Sequence, residues 1–455
     1  MSTTTASTPV VSHDRAPSTG PLGRIVFGSM AFGILAAAIS TLVVLPSAPE
    51  AVVTGGALIA FASGWAVLAW ASTRFTSRPQ RWANVPAAVL GATGVVLVAT
   101  DPGDPTLTRL GLVWAPALVG LALWVGHRAR RGLPDRRGLP VLGAVGVMLI
   151  AGLGGAFQAA ASDPFEAAGP MPGRLVDVGG YRLHISCRGT GSPTVVLLNG
   201  LGETSPEWAR VAPAVASQAR VCVYDRAGQG WSEDSPRPAD ATSTAGDLHR
   251  LLAAAGEHGP YVLAGHSSGG VYALTYAHLH RPEVAGIVLL DSASPRQAEL
   301  IPSFEGEYQV MRRALAIAPA LFRLGAGRLL ASAATPTLPG GAGAQASSFS
   351  DSPRGMRSMR AEQLALPTAF AQARATTTLG DLPLVVLTAK PNVDGKPGWG
   401  SAQDELASLS TNSRHTIADL DHAAYLDDPA GAALSVGAIS DVLRAARDHT
   451  PVTHR

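Results

Sequence analysis

The sequence predicts two regions of different class: an all-α bundle of about five transmembrane helices, then an α/β domain built on a mostly parallel sheet. Three observations carry this reading. Five uncharged apolar stretches fill the first third of the chain, and short β-rich runs alternate with helical ones after about residue 160. Only 15% of the 455 residues are charged, against about 25% in an average soluble protein. The composition also excludes whole classes. A chain that is 47% hydrophobic is too apolar for a disordered protein. Two cysteines rule out a disulfide-dense scaffold and a Cys-rich zinc module.

The apolar stretches run Ile25 to Leu45, Ala51 to Thr73, Trp82 to Thr100, Leu110 to Gly126 and Gly138 to Ala161. A helix needs roughly 17–25 apolar residues to cross a hydrocarbon core of about 30 Å, and the fourth stretch is the short one. A cleaved signal peptide does not fit the first, whose apolar run is too long and is followed by four more spans. Ten arginines flank the odd side of the spans: Arg15 and Arg24, then Arg74, Arg78 and Arg81, then Arg128, Arg130, Arg131, Arg136 and Arg137. The opposite loops carry Glu50 in one, and Asp101, Asp104 and a single Arg109 in the other. Basic loops stay cytoplasmic, which puts the tail 1–24 inside and everything after the fifth span outside. No stretch contains Asp, Glu, Lys or Arg, the usual marks of an ion or proton path, so the region 25–161 reads as an anchor rather than a transporter.

Repeated Pro and Gly make 162–172 a short extended linker. The α/β domain then covers 173–447, ahead of a tail at 448–455. Its strand candidates are Tyr181 to Cys187, Thr194 to Leu198, Val221 to Tyr224, Tyr261 to Ala264, Gly286 to Leu290 and Leu384 to Thr388. Ala245 to Ala255 and Gly270 to Leu279 are helix candidates between them. Strands separated by helices imply a parallel sheet covered on both faces.

The sharpest local signal is Gly265-His266-Ser267-Ser268-Gly269, directly after an apolar run and before a helix-like one. G-x-S-x-G in a strand–turn–helix context is a nucleophile elbow. The tight turn needs small residues two before and two after the serine, which Gly265 and Gly269 supply. The helix amino terminus beneath Ser267 favours developing negative charge.

With these residues the chain resembles the α/β-hydrolase superfamily of serine hydrolases from about Gly173 to Ala446. Leu197-Leu198-Asn199-Gly200-Leu201-Gly202 looks like the family's oxyanion loop, with Asn199 where the family usually has His. Tyr224-Asp225-Arg226-Ala227-Gly228-Gln229-Gly230 matches the turn after the fourth strand, read as a Gly turn with an Asp–Arg pair shaping the site. Asp419-Leu420-Asp421-His422 resembles the segment carrying the catalytic histidine. A serine nucleophile needs a general base, and the base needs a carboxylate to fix its tautomer. His422 falls after the last strand, in the order Ser…Asp…His expected of this fold. His266 lies inside the elbow, pointing away, and His415 lies in the last strand as a packed or surface residue. Two acids stay open: Asp291, at the end of the sixth strand, and Asp394, after the seventh, in the turn Asn392-Val393-Asp394-Gly395.

The resemblance implies attack by Ser267 on an acyl carbon, with the backbone N–H groups of Leu201 and Ser268 as oxyanion hole. The expected substrate is a small-molecule or lipid-like ester, with amides or thioesters, or a catalytically silent binding module, as alternatives. Residues 292–380 fall where the family places its cap, with helical Val310 to Phe322 and a mobile-looking Gly/Ala/Ser-rich run from Pro339 to Ser350. Cys187 and Cys222 lie on strands that neighbour one another in the family's usual order, and an oxidising exterior predicts a disulfide between them. No metal cluster, P-loop or dinucleotide fingerprint occurs, so no cofactor and no metal are expected. The first 160 residues carry a net charge of +6 and the rest −4. The overall +2 is therefore a sum over two compartments and does not point to a nucleic-acid partner. Neither the acyl group nor the oligomeric state is written in the sequence.

Overall fold

A computed structural model describes residues 21–133, 135–160, 163–331 and 337–452. The amino-terminal tail to residue 20 with Arg15, the junction at 161–162 and the carboxy-terminal 453–455 with His454 lie outside the described residues. The chain forms two compact units. Of the described residues, one comprises 21–40, Thr54–Asp101 and Val113–Leu153; the other comprises Thr41–Val53, Pro102–Leu112 and 154–452.

The five apolar helices are α1 (Pro21–Ile39, continued by a wider turn to Val44), α2 (Glu50–Phe75), α3 (Asn84–Thr100), α4 (Asp104–Gly132) and α5 (Leu139–Ala160). All five are long and apolar enough to cross a membrane. The fourth, shortest as an apolar stretch, is the longest helix at 29 residues. Asp104 in its first turn and Arg130 and Arg131 in its last oppose the helix dipole, so the helix runs past its apolar centre at both ends. The helical unit buries Val26, Met30, Trp65, Leu68, Val125 and Met148. It turns Phe27, Ile34, Val147 and Ile150 outward, the distribution that lipid rather than water favours. Backbones approach closely at small residues: a Cβ on Gly55 would sit 2.6 Å from the carbonyl of Gly94. Such approach is how helices pack in lipid, where apolar burial between them contributes little.

The second unit holds an eight-stranded sheet: β1 (Arg174–Asp177), β2 (Arg182–Arg188), β3 (Thr194–Leu198), β4 (Val221–Tyr224), β5 (Tyr261–His266), β6 (Val284–Leu290), β7 (Leu384–Ala389) and β8 (Ser413–Ala418). Their order is β1-β2-β4-β3-β5-β6-β7-β8. The β1–β2 and β2–β4 pairs are antiparallel and the rest parallel. Successive side chains alternate between two cores. Val196, Leu198, Leu263, Ile287 and Leu289 pack with one set of helices, while Val195, Leu197, Val262, Val288 and Leu290 pack with another. Strands buried on both faces read as continuous apolar runs, which is why these were legible in the sequence.

The helices of this unit are α6 (Pro164–Ala168), α7 (Val211–Ala216), α8 (Ala241–Ala255), α9 (Gly269–Leu279), α10 (Gln297–Leu300), α11 (Phe304–Arg323), α12 (Ala326–Ala331), α13 (Ala342–Ser350), α14 (Pro353–Ala373), α15 (Lys390–Gly395), α16 (Trp399–Ser408), α17 (Ala424–Asp427) and α18 (Pro429–Asp448). Of these, α10 to α14 fall within the segment 292–380 expected as the cap, and are called the cap helices. Two expectations change here. The linker is not wholly extended: Asp163 accepts the amide of Phe165 and caps α6, and Phe165 packs edge-on against Phe349. The mobile-looking Gly/Ala/Ser-rich run is helical over Ala342–Ser350: α13 buries Ala342, Ala346 and Phe349. Tertiary burial on one face supplies what its weak helix formers do not.

Cys187 lies directly opposite Cys222 across the β2–β4 pair, with their sulfurs 2.07 Å apart. The cysteines are separated by 35 residues, and a loop of that size constrains the unfolded chain by about 4 kcal/mol. Replacing both by serine should lower the thermal unfolding midpoint. The linked 187–222 peptide pair should be found by mass spectrometry of unreduced protein.

Candidate active site

The site lies at the carboxyl edge of the central strands. β5 runs straight into Ser267, whose φ of 53° lies in the left-handed region. That conformation costs a non-glycine residue about 1–3 kcal/mol. Four hydrogen bonds hold it. Ser267 N–H donates to the Leu290 carbonyl at 3.1 Å, and its own carbonyl accepts from the amides of Gly270 and Ala293 and from Ser292 Oγ. The flanking glycines answer to space. A Cβ on Gly265 would lie 2.5 Å from the Gly269 backbone, and one on Gly269 would lie 2.3 Å from the Leu198 carbonyl. Behind this turn α9 begins, with Ser268 at its amino end.

The two candidate acids separate cleanly. Asp291 closes β6, is fully buried and also has a positive φ, 41°. Its Oδ2 accepts from His422 Nδ1 at 2.6 Å and from Asn392 Nδ2 at 2.5 Å. Its Oδ1 accepts from the Ala389 amide and from Trp399 Nε1, each at 3.0 Å. Burial disfavours its charge, but the bond to His422, that ring's charge when protonated, and the Ala389 and Trp399 donors outweigh burial and hold the carboxyl below its ordinary range. Asp394 sits on α15 with its carboxylate exposed and paired to Lys390 at 2.5 Å. It does not meet His422. The turn expected at 392–395 is helical, which sends Asp394 to solvent and turns Asn392 toward Asp291.

His422 follows β8 with its ring half-exposed. With Nδ1 committed to Asp291, Nε2 is left as the basic nitrogen. Among the described residues no hydrogen bond joins His422 to Ser267 Oγ; such bonds are often long without substrate and tighten in the reacting complex. The loop of His422 is nonetheless fastened to the elbow, because His266 Nε2 donates to its carbonyl at 2.9 Å. His266 therefore does not simply point away: its ring lies 4.5 Å from that of His422. His415, on β8, bonds Thr388 and Asp404.

In the oxyanion loop, Gly200 N–H donates to Glu203 and Gly202 N–H donates to Glu362 at 3.3 Å. Among the described residues, the N–H groups of Leu201 and Ser268 have no acceptor, so these two donors are free for a ligand oxygen. Asn199 is fully buried and satisfied, donating to the Tyr224 carbonyl and accepting from Trp208 Nε1 at 2.7 Å. The Asp–Arg pair expected after β4 does not form. Asp225 bonds His184 at 2.8 Å and Ser205, whereas Arg226 reaches across to Glu362 of the cap helix α14 at 2.8 Å. Arg226 also donates to the carbonyls of Asn199 and Gly200, so the cap braces the oxyanion loop. Sequence reasoning missed Glu203, Asn392, Trp399 and Glu362. Glu203, three residues after Gly200, was the nearest to a local signal.

A mostly parallel sheet with a strained serine turn at its carboxyl edge, a buried aspartate bonded to a histidine beside it and a helical insertion after β6 defines an α/β hydrolase scaffold. Residues 193–429, more than half of the chain, match the family described as alpha/beta hydrolase fold, and the protein belongs to that family. It is 31% identical over 153 residues to efuK of Hormonema carpetanum, which is named as a transporter; the match covers 32% of this chain and 22% of that one. It is 35% identical over 114 residues to the soluble epoxide hydrolase of Corynebacterium sp. strain C12, covering 25% of this chain and 39% of that one. The chain thus spans well under half the length of these curated relatives. A solved structure from Nostoc sp PCC 7120, described as an alpha/beta hydrolase, aligns with a TM-score of 0.50 and 17% identity over 59% of this chain and 97% of that one. That last likeness shows the fold alone.

Asp291→Asn should cut Ser267 reactivity by up to about 10⁴-fold, because the imidazole loses its tautomer partner, while Asp394→Asn should leave it within twofold. Labelling rates of folded variants by a serine-directed probe would measure both. Glu362→Ala would strand the buried Arg226 charge and should cost about 3–5 kcal/mol of stability, read as a lowered denaturation midpoint.

Proposed function

We propose that the protein is a membrane-anchored serine hydrolase that cleaves a carboxylic ester through Ser267, His422 and Asp291 at the extracytoplasmic face. The observation that carries this reading is the bond of the buried Asp291 carboxylate to His422 at 2.6 Å, set beside a serine held in a strained turn. A buried carboxylate with four donors is expensive to build and orients an imidazole; neither a silent binding module nor a plain scaffold requires it.

In the reaction, Ser267 Oγ forms a bond to the acyl carbon as His422 Nε2 takes its proton. The carbonyl electrons move to an oxyanion that the Leu201 and Ser268 N–H groups receive, a stabilisation of about 3–4 kcal/mol per donor in comparable sites. Collapse breaks the bond to the leaving alcohol, which takes the proton from His422. Water, deprotonated by His422, then releases the acid and restores Ser267.

The epoxide relative supports hydrolysis but not that substrate. A serine that opened an epoxide would be left as an ether, which water does not cleave, whereas an acyl-serine is an ester that water does cleave. Amides and thioesters remain chemically open to the same groups. The name of efuK raises transport; against it, the five apolar stretches hold no charged residue, and intramembrane charges are what ion paths use.

The arginine-rich loops support a cytoplasmic amino terminus. The acid-bearing loops support the opposite face for the hydrolase domain: Thr41–Val53 and Pro102–Leu112 belong to its compact unit. Within that unit Arg323 of α11 bonds Glu50 at 2.6 Å and also Asp104.

A fluorophosphonate probe should label the detergent-solubilised, folded wild type and not Ser267→Ala. An unlabelled wild type would overturn the enzymatic reading. A carboxy-terminal phosphatase reporter, active only outside the cytoplasm, should be active; a silent phosphatase with an active cytoplasmic reporter would reverse the orientation.

A further inference from the structure

His266 is a buried titratable group that the reaction above does not use. It is 1% exposed, and each ring nitrogen meets an oxygen: Nδ1 lies 2.6 Å from Glu203 Oε1, and Nε2 lies 2.9 Å from the His422 carbonyl. An ionised carboxylate and a carbonyl can only accept, so both bonds form together only when both nitrogens carry protons. His266 is then an imidazolium facing a carboxylate. Burial opposes that charge, but Glu203 and the two hydrogen bonds outweigh it and hold the imidazole above its ordinary range. Glu203 behaves in the opposite sense: burial pushes it up, while the charge and bond of His266 and the Gly200 amide hold it below.

The pair touches three parts of the site. His266 immediately precedes Ser267, its Nε2 fastens the His422 loop, and Glu203 receives the Gly200 amide of the oxyanion loop. Four other titratable groups act on it or feel its charge: His422, whose ring lies 4.5 Å from that of His266, Asp291, Asp427 and Glu207. Asp291 is committed to His422. Asp427, on α17, is raised by burial. Glu207 is pushed well up by burial and by the charge of Glu203. Glu203 is therefore the carboxylate bonded to His266.

We propose that His266 and Glu203 are an ionised positioning pair that keeps the His422 loop and the oxyanion loop in register with Ser267. The proposal rests on the serine-hydrolase reading above. Neither residue touches the reacting atoms. The pair sets where the base and the oxyanion donors stand, and a misplacement of about 1 Å among such groups costs up to about 100-fold in rate.

The test uses the full chain in detergent with ¹⁵N-labelled histidine. The nitrogen signals of His266 are identified by their loss in His266→Gln. Both should report protonated nitrogens at pH 7.5, and Glu203→Gln should return the ring to a neutral form. Fluorophosphonate labelling of Ser267 should slow by about 10–100-fold in His266→Gln and in Glu203→Gln. Tyr276→Phe, which removes a hydrogen bond to Glu283 away from the elbow, should label at the wild-type rate, so that lost stability alone is told apart from lost positioning. A neutral His266 in the wild type, or wild-type labelling in both pair variants, would overturn the proposal. A wild type that does not label would instead overturn the hydrolase reading beneath it, and the nitrogen signals would still report the charge of the pair.

Discussion

The backbone at Ser267 is the constraint on which the rest of the site depends. A left-handed serine costs about 1–3 kcal/mol and persists only where its surroundings leave no alternative. Here the Leu290 carbonyl, the Ala293 amide and Ser292 Oγ fix both ends of its peptide group. Those partners belong to the end of β6 and the segment after it, which also carries Asp291. The same hydrogen bonds that hold the strained turn therefore set the carboxylate in place. The close approach of the β3 end to Gly269 brings the oxyanion loop to the same point. One tight turn thus fixes three functional groups relative to one another.

Around that turn, buried charges replace loop packing as the means of alignment. Arg226 and Glu362 tie the cap helix to the oxyanion loop, and Asp225 and His184 tie the turn after β4 to β2. Breaking either pair would leave one charge without a partner in a medium that solvates it poorly, a cost of several kcal/mol. A network in which each member has its partners is rigid for that reason. The loops bearing His422 and Gly200 have short backbone pairing of their own, and it is side-chain charge that holds them.

The central strands β3 to β7 were legible because each is buried on both faces. Thr194–Leu198 and Val221–Tyr224 have the same ends in the sequence and in the fold. The elbow was legible because a steric demand, small residues on both sides of the serine, leaves a local trace. The helices around 164 and 342 were not. Their residues have weak intrinsic preference, and Phe165 and Phe349 hold them in place through contacts remote in sequence. The pairing of Arg226 with Glu362 spans 136 residues and leaves no local pattern at either position. The same holds for Trp399 and Asn392, which complete the shell of Asp291.

The sequence by itself determined the two-region plan, the parallel sheet, the serine elbow and the residues eligible as base and acid. These follow from periodicity, composition and local sterics, which act over a few residues. Only the tertiary structure decided that Asp291 rather than Asp394 meets His422, and that His266 joins Glu203 beside it. Hydrogen bonds reach about 3 Å, and which groups come that close depends on how strands 100 residues apart pair, not on their neighbours in the chain.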